Sequence, residues 1–159
     1  MMSHSSPVSS SGKKRRVASQ VAASTRLLPL PDEVVSALLI DYHMALASLR
    51  QGRGDLHHFV TMARVVVVSC HLFDAGYGEA HIDGLMEVQD ALDRSHRMAA
   101  QTGNWCLDDA TFELLADLLT LHEQQLREAP FHVVARSNEK MEQGVSMSGA
   151  RASGMRTAA

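Results

Sequence analysis

Four stretches of this chain repeat apolar residues every three or four positions, each for about twenty residues. That spacing matches one face of an α-helix and leaves little room for any other regular structure. The first stretch, 32–50, follows "LPLPDE". Pro31 fixes the entry angle, Asp32 and Glu33 suit a helix N-terminus, and Val35, Leu38, Leu39, Tyr42, Leu46 and Leu49 form one stripe before Gly52. The second, 56–74, opens on Asp55 as N-cap and buries Phe59, Met62, Ala63, Val66, Cys70 and Phe73. The third, 79–101, carries Ile82, Leu85, Leu92 and Ala99 and stops at Gly103. The fourth, 109–129, starts after Asp108 and buries Phe112, Leu115, Leu119 and Leu126 before Pro130.

One segment admits a rival reading. "RVVVVSCHLF" has the composition of a buried strand, but its apolar spacing continues over about five turns, far beyond a normal strand. Four long helices on short loops predict an all-α fold, an antiparallel four-helix bundle over 31–142. A short further helix is possible in "FHVVARSNEKMEQ". Disordered N- and C-terminal tails are expected over 1–30 and 143–159, which are rich in serine and small polar residues.

The charges divide in the same way. Residues 1–30 hold five cations and no acid, and 143–159 hold two arginines. The body has eighteen acids against eight Lys or Arg, so any phosphate affinity belongs to the tails. Two cysteines are too few for a disulfide framework, and a cytoplasmic setting with no membrane contact is expected.

On the first helix, Ala37, Ile40, Met44 and Ala47 lie opposite the core stripe with the 3-4-3 spacing of a packing seam. A surface helix should be polar there. Two readings follow. Either the face meets a partner, most simply a second copy of the chain, or it is covered by the chain's own residues, including the leader "LLPL".

Chemistry is hard to find. Nine histidines are present, yet no two are four apart and no Glu precedes a His by three, so helical zinc and di-iron patterns are missing. Asp55-x-x-His58 and Asp93-x-x-His96 come nearest. Cys70 and His71 are adjacent and point about 100° apart on a helix, which excludes a nucleophile–base pair. No catalytic residue, metal set or cofactor site is read from the sequence. Gln89 and His96 fall on the stripe drawn for the third helix, with His122 near that of the fourth. They are expected as buried polar groups joined by an interhelical hydrogen bond.

Nucleic acid enters only through Lys13, Lys14, Arg15 and Arg16, a run able to attract phosphates without base specificity. A helix-turn-helix reading of "DAGYGEA" fails, because the would-be recognition helix presents Asp83, Glu87 and Asp90. The stretches "DYHMALASLRQGRGD", "GYGEAHID", "TGNWCLDD" and "LTLHEQQL" together resemble a group of short, uncharacterised proteobacterial helical proteins, over about residues 38–129. Some of that group are labelled Fis-type transcriptional regulators. The resemblance implies a bacterial, helical protein. It transfers no functional residue, since Asp109, Glu113, Asp117 and Glu123 stand where a Fis-type recognition helix is basic. The expectation is therefore a non-enzymatic interaction or regulatory protein that self-associates. The alternative is a nucleic-acid-associated accessory factor using the basic arm.

Overall fold

A computed structural model describes residues 26–78 and 82–154, with side chains over 26–78 and 84–144. Within them the chain is all-helical. The helices are α1 (Asp32–Arg50), α2 (Leu56–Asp74), α3 (Ile82–Thr102), α4 (Asp109–Glu128) and α5 (Phe131–Gly154). Five helices replace the four expected. α5 is far longer than the short segment the sequence suggested and runs past residue 143, where a tail was expected to begin. Residues 143–154 contain no proline, and extending an existing helix costs much less than nucleating a new one. "RVVVVSCHLF" is helical, as its long apolar spacing requires.

Local chemistry sets the helix ends. Asp55 accepts a hydrogen bond from the His58 N–H at 3.0 Å, and Asp108 accepts one from the Thr111 N–H at 2.7 Å. Each satisfies a donor that the first turn of a helix leaves open. α1 has no side-chain cap, but the Arg127 guanidinium at the end of α4 donates to Asp32 at 2.6 Å. Leader residues 26–30, placed in the tail by composition, instead run to the α4–α5 corner. Leu28 O accepts from Phe131 N–H at 2.8 Å, and Pro29 bridges to Pro130.

α2 is the centre. It packs against α1, α3, α4 and α5, and it buries Met62, Val66, Ser69 and Leu72 almost completely. By length and composition α2 could cross a membrane, and it is the one such helix among the described residues. Its contacts here are with its own chain. The main core lies between α1, α2 and α4, where Leu46, Leu49, Leu115 and Leu119 meet Met62 and Val66. A second cluster joins Val35 and Leu39 to Leu72, Leu126, Val134 and Met141, sealing α5 onto the bundle. α3 touches α2 less extensively than it touches α4.

Connections gather at two ends. Gly54, between α1 and α2, bridges to Trp105, between α3 and α4, and Leu107 N–H donates to Leu49 O at 3.2 Å. Arg50 lies 4.1 Å over the Phe112 ring, tying the end of α1 to the start of α4. At the other end the turn after α2 meets the last turns of α4.

Candidate functional site

The outer face of α1 is open among the described residues. Ile40 is 63% exposed and Met44 64%; Ala37 is exposed and Ala47 half-buried. The leader does not cover this face: Leu27 and Leu28 are themselves exposed. Ser36, Asp41 and His43 border the apolar strip on an exposed surface. Lys13, Lys14, Arg15 and Arg16 lie outside the described residues.

Gln89 and His96 are exposed, which corrects the expectation that they are buried. The buried residues of α3 include Val88 and Ala91 beside Leu85, Leu92 and Ala99, so the stripe is rotated away from both polar side chains. His96 stacks at the bundle edge, its ring centroid 5.7 Å from Phe59 and 5.9 Å from Trp105. Together with Phe59, Val66 and Leu92 it lines an open groove of about 760 Å³ between α2 and α3, walled by Asp90 and Asp93.

The polar interior is built instead on Ser69, His122 and Gln125, each 2% exposed or less. His122 Nδ1 lies 2.9 Å from Ser69 Oγ. Gln125, one turn further along α4, donates from Nε2 to Ser69 O at 3.0 Å and to Tyr77 O at 3.1 Å. One amide thus fixes both α2 and the turn that follows it. Its Oε1 has no partner among the described residues. Burial pushes the His122 pKa down to about 4, with the Gln125 side chain acting the other way, so the imidazole is neutral at pH 7. A hydroxyl buried in a helix needs an acceptor for its single proton. The tautomer of the ring sets the direction of this bond: Ser69 Oγ–H donates to Nδ1 in one, and Nδ1–H donates to Oγ in the other. Tyr42 lies beside it, with ring centroids 5.8 Å apart, and its pKa is raised by burial against the opposing charge of Arg64.

His122 and Tyr42 line a cavity of about 260 Å³ among α1, α2, α4 and α5. Its apolar walls are Leu38, Val65, Val68, Leu126 and Val134. The polar groups on its rim are Thr61, Arg64 and Asn138. The Arg64 side chain is about half exposed, and its guanidinium pairs with Glu142 at 3.5 Å.

The remaining candidates resolve into structure. Asp55 and His58 form the cap of α2, with Nδ1 2.6 Å from the carboxylate. Asp93 and His96 are both exposed and share no hydrogen bond. Among the described residues, no three His, Cys, Asp or Glu side chains gather closely enough to hold a metal ion. Cys70 is half-buried with its pKa raised by burial, and Cys106 is exposed; both are free thiols.

Sequence reading missed Ser69 and Gln125. Gln125 was detectable, since it lies three residues after His122 on the Leu115–Leu119–Leu126 stripe. Ser69 was hidden inside an apolar run. Compared with known proteins, the chain matches no family model, no curated protein and no solved structure.

Proposed function

We propose that this chain is a non-enzymatic interaction protein that self-associates through the outer face of α1, presented by an antiparallel bundle of α1–α4 with α5 added. The observation behind the reading is the exposure of Ile40 and Met44, at 63% and 64%, in the middle of a helix. An apolar strip of this kind is the usual mark of a contact surface.

Its pattern favours a second copy as the occupant. Positions 37, 40, 44 and 47 are small, large, large, small, and they read the same in either direction. An antiparallel copy sets Ile40 against Met44 of its partner and Ala37 against Ala47, which is the self-complementarity a twofold interface needs. Burying the exposed two-thirds of two Ile and two Met side chains contributes roughly 4–8 kcal/mol. That is of the same order as the ~4–15 kcal/mol cost of association, so the dimer is concentration-dependent.

Sedimentation equilibrium on the full chain across a hundredfold range of concentration tests this. Wild type should approach twice the chain mass at the upper end and change little with salt. Ile40→Glu/Met44→Glu should stay monomeric with unchanged thermal melting. Wild type that remains monomeric throughout, or a double variant that still dimerises, rules the reading out. Loss of helix in the variant would show that the chain covers this face itself.

A further inference from the structure

The cavity beneath α1 combines aliphatic walls with a single cation. At about 260 Å³ it exceeds the ~150 Å³ void that accepts benzene in an engineered core, and scaling by volume gives room for about ten non-hydrogen atoms. Five aliphatic side chains supply apolar wall. Its polar groups are Tyr42 on α1, Thr61 and Arg64 on α2 and Asn138 on α5; Thr61 and Asn138 donate to backbone carbonyls of their own helices, and Arg64 is the one ionised side chain in the lining. His122, 2% exposed, lines the same space. Its Nδ1 lies 2.9 Å from Ser69 Oγ, which fixes the plane of the ring in the wall.

We propose that this cavity is a binding site for a small monocarboxylic acid, with an apolar body of about seven carbons against the aliphatic walls and its carboxylate at Arg64. One cation in the lining calls for one negative charge. A carboxylate accepts two parallel hydrogen bonds from a guanidinium, which a hydroxyl or amine does not. Arg64 is available for this. Its partner Glu142 is exposed, and a solvated surface pair of that kind is worth little, so a ligand carboxylate replaces it at small cost. His122 is neutral at pH 7 and adds no second charge to the wall. The site is separate from the seam on the outer face of α1. Leu38 and Tyr42 are on the opposite side of that helix from Ile40 and Met44, so either proposal can fail alone.

The test is a titration of the full chain with octanoate, butanoate and octylammonium, followed by calorimetry and by amide and methyl NMR shifts. Octanoate should saturate, moving signals of Val65, Val68 and Val134. Butanoate should bind at least tenfold more weakly, and octylammonium should leave those signals in place. Arg64→Gln, an exposed change that leaves the core intact, should weaken octanoate at least tenfold with unchanged melting. His122→Phe, which keeps a ring in the wall but removes its nitrogens, should weaken it severalfold. Equal binding of acid and amine, undiminished binding by Arg64→Gln, or shifts confined to Ile40 and Met44 would overturn the assignment. So would failure of octanoate to saturate at millimolar concentration.

Discussion

The buried imidazole of His122 makes the stability of this fold sensitive to mild acid. An unfolded histidine takes up its proton near pH 6.5, whereas His122 in the fold does so only near about 4. Between those values the unfolded state binds more protons than the native one, so stability rises with pH across that window and falls on acidification. The contribution is complete above pH 6.5 and lost as the pH drops toward 4. The whole window corresponds to about 3 kcal/mol, of which about 2 kcal/mol disappears between pH 7 and pH 5. Burial of the ring at 2% exposure justifies applying the full linkage here. Urea unfolding of wild type and His122→Gln at pH 7, 6 and 5 measures it. The other eight histidines are common to both chains and cancel in the difference. Wild type should lose about 2 kcal/mol more than the variant over this range. Parallel pH slopes for the two proteins, or an imidazole of His122 that titrates near pH 6.5 by NMR, would refute the argument.

Two further outcomes are expected. Gly54→Ala should destabilise by about 2 kcal/mol and perturb Trp105 fluorescence, since the added methyl meets the Trp105 carbonyl at 2.7 Å and Leu49 Cα at 3.0 Å. Asp108→Ala should cost about 1 kcal/mol at pH 7 in chemical denaturation. Hydrogen bonds from Thr111 hold the Asp108 carboxyl below its usual 3.8, so the wild-type advantage should shrink as the pH falls below that value.

Helix periodicity made most of this architecture legible in advance. Asp55 and Asp108 announced two helix starts, and Val35, Leu39, Leu46 and Leu49 gave the inner face of α1 correctly because their spacing repeats without a break. α3 was harder. Its stripe depends on whether Val88 and Ala91 are counted, and leaving them out turned Gln89 and His96 inward. α5 was underestimated because "QGVSMSGARASG" has the small, polar composition of a tail, and composition does not register the help given by a helix already formed. The cavity was invisible for a different reason. It is an absence of atoms among four helices, and its lining comes from positions as distant as Leu38 and Asn138. No periodicity in one segment reports how well four segments fill the space between them.

The central place of α2 has a consequence in time. On a ribosome its residues emerge before α3, α4 and α5, so that of its four helical neighbours α1 alone has already been made. α4 and α5, which bury Val66, Val68 and Leu72 in the finished molecule, follow later, and the last buried residue of that second cluster is Met141. At 5–20 residues per second, the interval from Asp74 to Met141 is roughly 3 to 13 seconds. Through that interval the helix that, among the described residues, has the composition of a membrane span lacks the α4 and α5 side chains that cover it in the finished fold. Its early neighbour α1 is therefore more than one wall among four. Of the four helices that pack on α2, it is the first to be made.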